Sequence, residues 1–554
     1  MSGFSRPGLQ HAGKAALAAV ALIAALSAAP ACGDGGDLPS ATATLEGTPM
    51  ELSPGAQATP SPPPGDGSPS IDLAATDALL TIYGADSGDL MSDIPGLATG
   101  DFNDDGFADV LIGARFGDGP GNEREDAGEG YVVFGGAQLP AAVDLAAGEQ
   151  NLTVYGESAG GGLGFAAAAG DVNADGVDDI LVGAPFAAGA GREGGAVYVI
   201  FGGGGLAGTV DTAQGQQDFT INGPAGNALF GDSLAVADVN GDGTSDIIIG
   251  STFAADTGRQ VANAGAVYVV FGSPALAGSV ETARNEQDAV IFAADEFDEL
   301  GDTVASGDLN GDGIADIIAT AEAADGPDND RSVAAEVHVV FGRPDLGGAL
   351  RISEGDQDLS IYGAEENDTL GFNLGSGDVN GDGVADIIAS ARLADGPDNS
   401  RQQAGEVYIV FGGDDLAGSI DIARDEQDLT ISGADPSDFF GSSIAVADVD
   451  GDGSLETVLG TGFGSGAANG RPRSGEAYIF GPLSAGGSLD IAPGVYRTAV
   501  YGARPGDALG SALAAGDVNG DGKDEIVVMA TGAQGLAGTA EAGRIYVISA
   551  EPGS

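Results

Sequence analysis

Residues 378–386 read Asp-Val-Asn-Gly-Asp-Gly-Val-Ala-Asp, and nearly the same nine residues, D-x-[ND]-x-D-G-x-x-[DE], are written seven times in this chain of 554 residues. The copies begin at Asp101, Asp171, Asp238, Asp308, Asp378, Asp448 and Asp517, at intervals of 70, 67, 70, 70, 70 and 69 residues. A fixed period of this length means one supersecondary unit repeated, and a unit of four short strands fits it.

The fifth copy shows the unit. A first strand runs from Leu370-Gly371 to Gly377, the loop is Asp378 to Asp386, and Ile387 to Ala389 continues as a second strand. A polar stretch follows, then Glu406 to Gly412 as a third strand, a turn, and Asp428 to Ile431 as a fourth. These runs are short, β-branched or aromatic, and bounded by Gly, Pro, Asn and Asp. The third strand recurs as Tyr131 to Gly135, Tyr198 to Gly202, Tyr268 to Gly272, Tyr478 to Gly481 and Tyr546 to Ile548. In the fourth copy His338 takes the tyrosine slot, which makes it a strand substitution rather than a ligand or a base. The aromatic stripe reads as core packing.

The ends are out of register with the loops. The fourth-strand motif first occurs at Leu80 to Gly84, before the first loop, and the last unit stops at its third strand near Ile548. The N-terminal strand can therefore complete the last sheet and close a ring with few open edges. The expected fold is all-β, a seven-bladed β-propeller over residues 71–554, with a leader at 1–31 and a tether at 32–70.

With those motifs, the chain resembles the FG-GAP repeat family, the propeller at the head of integrin alpha subunits and of similar bacterial proteins. The family's Phe-Gly stands at Phe230-Gly231 and Phe440-Gly441, with Leu-Gly at Leu163, Leu300, Leu370 and Leu509. The full Gly-Ala-Pro is at Gly183-Ala184-Pro185, and the first copy lacks the Phe-Gly element.

The nine-residue loop carries oxygen donors at alternate positions, which is how a short loop wraps Ca²⁺. Positions one, three, five, seven (through its carbonyl) and nine are the candidate ligands. They are Asp101, Asn103, Asp105, Phe107 and Asp109 in the first loop, and Asp171, Asn173, Asp175, Val177 and Asp179 in the second. The third offers Asp238, Asn240, Asp242, Thr244 and Asp246, and the fourth Asp308, Asn310, Asp312, Ile314 and Asp316. The fifth offers Asp378, Asn380, Asp382, Val384 and Asp386, and the sixth Asp448, Asp450, Asp452, Ser454 and Glu456. The seventh offers Asp517, Asn519, Asp521, Lys523 and Glu525. Glycine at position six permits the sharp turn. An EF-hand is excluded because position twelve is apolar or small (Ile112, Val182, Ile249) and the flanks are strands. The competing reading is a set of polar turns without metal. Up to seven Ca²⁺ are expected, in a structural role, with the geometry altered where Glu456 and Glu525 end a loop.

Net charge is −65, and seven Ca²⁺ would still leave the chain strongly acidic. Such a surface repels nucleic acid and anionic membrane faces. Residues 1–14 carry Arg6, His11 and Lys14, Ala15 to Ala29 is apolar, and Ala29-Pro30-Ala31 ends at the only cysteine, Cys32. This reads as a secretory signal. Cys32 resembles the lipidated cysteine of a bacterial lipoprotein, the alternative being plain secretion with a free thiol. Either way the chain is expected to be exported, with a membrane reached only through a lipid. Residues 33–70, rich in Pro, Ser, Thr, Gly and Ala, read as a disordered tether.

The polar stretches between second and third strands contain Arg115, Arg124, Arg192, Arg259, Arg331, Arg392, Arg401, Arg471 and Arg473, nine of the sixteen arginines after the leader. The resemblance places them opposite the calcium loops, on the face that holds the ligand in integrins. Arg124, Arg192, Arg259, Arg331, Arg401 and Arg471 are candidates to grip a carboxylate-bearing protein or glycan partner. The competing reading is charge balance with neighbours such as Asp328, Asp330 and Glu406. No catalytic constellation is apparent: there is no Trp, no usable histidine and no phosphate loop. The expected function is non-catalytic recognition or adhesion. The alternatives are an extracellular hydrolase, or its accessory, with an unlocated carboxylate pair, and a structural envelope component.

Overall fold

The structure, a computed structural model, describes residues 69–75, 78–89, 96–188, 194–484 and 486–550. The leader, Cys32 and nearly all of the tether lie outside the described residues, as does Arg192. Seven sheets form a β-propeller. The first strand of each blade packs on the first strand of the next, and Leu97–Gly100 of blade one meets Leu509–Gly516 of blade seven to close the ring.

Each sheet has five strands rather than the expected four. In blade five, Leu370–Gly377, Asp386–Ala391, Glu406–Val410 and Leu429–Ser432 run antiparallel, and Ser488–Asp490 from blade six is added in parallel outside them. Blade five's own Gly418–Asp421 is given in the same way to Leu359–Tyr362 of blade four. That segment read as a turn because Gly-Ser opens it and only its last residue, Asp421, is buried. An edge strand of this kind has no apolar run to betray it.

Closure uses two N-terminal strands. Leu80–Tyr83 pairs antiparallel with Arg544–Ile548 in blade seven, with Leu80 opposite Val547, as the motif register requires. Ser70–Asp72, which the sequence reading did not anticipate as a strand, pairs in parallel with Thr498–Tyr501 in blade six. Leu80 and Ile82 are fully buried, and burial of two such side chains stabilises by roughly 3–6 kcal/mol.

The core lies between blades: each neighbouring pair of sheets encloses one apolar cluster, such as Val379, Ile388, Phe440, Leu459 and Tyr478 between blades five and six. The tyrosines of the third strands belong to these clusters, and His338 sits at the tyrosine register opposite Ala319. Blades approach so closely that a Cβ on Gly183 would lie 2.0 Å from the carbonyl oxygen of Gly231 in the next blade. Gly113 and Gly250 meet Gly164 and Gly301 of their neighbouring blades at the same distance, so the contact accounts for a glycine at this position in three blades. Where blade four has Thr320 at this position, its hydroxyl donates to the corresponding carbonyl of Gly371 at 2.8 Å.

Candidate metal centres and the opposite rim

The nine-residue loops join first to second strands at one end of the barrel of blades. In the fifth, Asp378 Oδ1 accepts from the backbone N–H of Gly381 and Asp382 at 2.7 and 3.0 Å, and its Oδ2 from Gly383 at 2.8 Å. Asn380 Oδ1 accepts from Asp382 at 2.8 Å, and Asp382 Oδ1 from Val384 at 3.0 Å. Position six has φ +94° at Gly383, the left-handed region where a Cβ is costly. The loop is thus coiled by its own carboxylates.

Position nine has a second task. Asp386 is fully buried. Its Oδ2 accepts from Val379 N–H at 2.9 Å, and its Oδ1 from Asn380 Nδ2 at 3.2 Å and from Gly412 N–H at 3.0 Å. Gly412 belongs to the Phe-Gly that ends the third strand. Asp109, Asp179, Asp246 and Asp316 take the same glycine N–H in their blades. Burial pushes the Asp386 carboxyl up to about 6 and that of Asp246 to about 7. Loop and Phe-Gly are therefore one structural piece, a link that sequence reading missed although a spacing of 26 residues recurs in four blades. In the seventh loop Glu525 keeps the pattern, accepting from Val518 and Asn519 N–H and from Asn519 Nδ2 at 2.6 Å.

The loops also join blades. The residue after each Phe-Gly donates its N–H to the position-two carbonyl of the preceding loop: Gly203 to Phe102, Ser273 to Val172, Arg343 to Val239 and Gly413 to Leu309, at 2.8–3.0 Å. The donor set is oxygen throughout, carboxylate, amide and carbonyl, which fits a hard divalent cation and not a soft one.

At the opposite end, the second-to-third-strand loops meet the fourth-to-first connections. Arg331 Nη1 donates to Gly363 O, and Nη2 pairs with Asp421 at 2.8 Å. Arg124, Arg401 and Arg471 repeat this with Asp211, Asp490 and Asp72, each the last residue of the parallel outer strand. The arginine side chains are 17–24% exposed. These pairs bind blade edges together, and the partners lie 87–90 residues away in three blades rather than at the neighbouring Asp330 or Glu406. In blade three the polarity is inverted: Asp256 in the loop pairs with Arg351 on the outer strand at 2.6 Å. Arg259 is half exposed and pairs with Glu354.

In blades two to five, two further positions beside these loops differ from blade to blade, the residue after Phe/Leu-Gly and the residue after the second strand. They are Phe165 and Pro185 in blade two, Asp232 and Thr252 in blade three, Asp302 and Glu322 in blade four, and Phe372 and Arg392 in blade five. Asp232 is 5% exposed and accepts from the Thr252 hydroxyl. Its carboxyl is pushed up to about 8 by burial. Asp302 and Glu322 share a hydrogen bond, and burial followed by the Glu322 charge raises Asp302 well above the carboxylate range. Arg392 stacks 3.4 Å from the Phe372 ring centroid, and Arg115 lies 4.6 Å from Phe116 and 5.1 Å from Phe165. Phe186, 49% exposed, meets Phe165 edge to face at 5.9 Å. The rim is thus acidic at blades three and four and aromatic and cationic beside them.

Comparison with known proteins agrees with this architecture. The FG-GAP repeat family matches at residues 95–133, 163–200, 230–270, 300–339, 370–410 and 509–548. Phosphatidylinositol-glycan-specific phospholipase D of Rattus norvegicus is 27% identical over 407 residues, 70% of this chain and 45% of that protein. Integrin alpha pat-2 of Caenorhabditis briggsae is 32% identical over 255 residues, 44% of this chain and 19% of that protein. The chain therefore spans less than half the length of these relatives. Among solved structures, BBS1N in complex with ARL6DN aligns over 85% of this chain and 95% of that one, with 8% identity and a TM-score of 0.43. Six of its blades match the family, and the chain is a seven-bladed β-propeller of FG-GAP repeats.

Proposed function

We propose that this is an exported, calcium-stabilised recognition domain, displayed at the cell surface through a lipid on Cys32 or secreted, which binds a protein or glycan partner without catalysis. The observation that carries the reading is the contrast between the two ends. The loops at one end repeat almost residue for residue, as a structural element should. The two rim positions at the other end differ from blade to blade, giving one sector of acids beside arginine–aromatic stacks. An end differentiated in this way discriminates among partners, because carboxyl groups, stacked guanidinium groups and exposed rings each accept a different chemistry. Ca²⁺ in the loops would neutralise clustered carboxylates and hold the junctions into which those loops are bonded.

The test is capture of envelope and matrix proteins and glycans by the mature chain, with calcium and with chelator, beside Asp302→Asn and Phe186→Ala variants. Calcium-dependent capture that either rim variant weakens supports the reading. A folded chain that captures nothing refutes it.

A second reading is favoured by the likeness to phosphatidylinositol-glycan-specific phospholipase D. The propeller would then be the accessory of a hydrolase, presenting substrate to chemistry performed elsewhere. Turnover of a substrate panel by the isolated chain, abolished by one rim carboxylate, would instead make the chain itself an enzyme.

A further inference from the structure

The sixth loop departs from its siblings in three residues that meet in space. Position three is Asp450 where the other six loops have asparagine, and position nine is Glu456 where five have aspartate. The third change lies outside the loop. Immediately before the fourth strand, blades one to five place Asn151, Asp218, Asp288, Asp358 or Asp428, whose side chain accepts the N–H of the phenylalanine ending the third strand. Blade six places Arg497 there. Its Nη2 lies 2.7 Å from Asp450 Oδ2 and its Nη1 2.8 Å from Glu456 Oε1.

We propose that the sixth loop takes its cation from within the chain: the Arg497 guanidinium sits where the other loops leave room for a divalent ion, so this loop binds no calcium. The proposal rests on the calcium reading of the other loops. The backbone coil itself is unchanged. Asp448 still accepts from Gly451, Asp452 and Gly453, and Asp452 from Ser454, as in the fifth loop. What has changed is the charge at the ligand positions. Asp448, Asp450 and Glu456 bring carboxylate oxygens within 4.8 Å of one another, the only such acidic trio among the described residues. Two of the three, Asp450 and Glu456, meet a planar cation whose fork suits two carboxylates at once.

Glu456 is 1% exposed and Asp450 18%, and both charges are met by Arg497, itself 36% exposed at the edge of the loop. A divalent ion entering here would have to displace the guanidinium or stand beside it against like charge. Glutamate at position nine is not the cause. Glu525 in the seventh loop keeps the hydrogen bonds of an aspartate, with Asn519 at position three. Blade six is also the blade that the FG-GAP match omits.

Bound calcium per chain, measured by atomic emission after equilibrium dialysis of the full mature chain against calcium alone, tests this. Arg497→Asp, which restores the residue type of the other blades, is expected to bind one more ion per chain than the wild type. Arg497→Gln, which keeps length and donors but removes the charge, is the second variant if the first fails to fold. Seven ions on the wild type, or equal counts on wild type and a folded variant, would overturn the proposal. No bound calcium on either protein would overturn the calcium reading and this inference with it.

Discussion

Arginine at the outer edge of four blades invites two opposite expectations, and Arg331 with Asp421 separates them. As a partner-gripping residue, Arg331 could be neutralised at little cost to stability. As a clamp, it could not. The two charges approach to 2.8 Å with the guanidinium 18% and the carboxylate 5% exposed. At an effective dielectric constant of about 20, charges about 4 Å apart attract by about 4 kcal/mol. Partial exposure and the ordering of a long side chain offset part of that, leaving a coupling of about 2 kcal/mol. Arg331→Gln also strands Asp421, whose remaining cation is the 69% exposed Arg424 at 3.2 Å. The single variant should therefore lose about 3 kcal/mol, near the lower end for breaking a buried pair. Asp421→Asn should lose about 2 kcal/mol, keeping a polar cap but not the charge. The double variant should lose about 2 kcal/mol less than the two singles together. Urea unfolding at fixed calcium, followed by circular dichroism on all four proteins, measures the cycle. Losses under about 0.5 kcal/mol for Arg331→Gln, or strict additivity, would refute the clamp and return Arg331 to the candidates for partner binding.

Gly183→Ala places a Cβ 2.0 Å from a backbone oxygen of the next blade, and should cost about 3 kcal/mol in urea, since no flexible side chain can yield. The Asp232 carboxyl, facing Asp302 and beyond it Glu322 and Arg392, is held by burial at about 8 in the fold against an ordinary 3.8. Between about pH 4 and 8 the folded chain therefore keeps a proton that the unfolded chain has already released. Stability relative to Asp232→Asn should fall as pH rises through that window, by up to about 1.4 kcal/mol per unit; a flat difference would sink this assignment. Chelation should lower the melting temperature of the whole ring in one transition, because the loops are bonded into the blade junctions. An unchanged melting curve would mean that the loops are metal-free polar turns.

Much of this fold was legible because repetition is legible. Seven copies of one loop set the blade count, and the out-of-register motif at Leu80 revealed closure. The outer strands were hidden for a physical reason: Gly418–Asp421 pairs by its backbone at an edge, and its side chains show no alternation that burial would impose. The site was legible as chemistry and less so as geometry. Ligand spacing named the loop oxygens, but the tie from Asp386 to Gly412 crosses 26 residues and involves a backbone donor that no motif records. The arginines stood out as a pattern, yet their partners lie about 90 residues on, in a strand contributed by the next blade. Nothing in the sequence singles out Arg497, because only the fold brings it to Asp450 and Glu456.

The two N-terminal strands also set an order of events. A chain emerges from the ribosome N-terminus first, so Ser70–Asp72 and Leu80–Tyr83 appear before any blade exists to receive them. Their partners, Thr498–Tyr501 and Arg544–Ile548, come only with blades six and seven. Each intermediate blade can settle against its predecessor as it arrives, while the opening segment waits as an unpaired, apolar edge. Closing the ring joins the two opening strands to two adjacent sheets, with Asp72 fastened to Arg471. Without blade seven, Leu80–Tyr83 has no partner strand and the ring stays open.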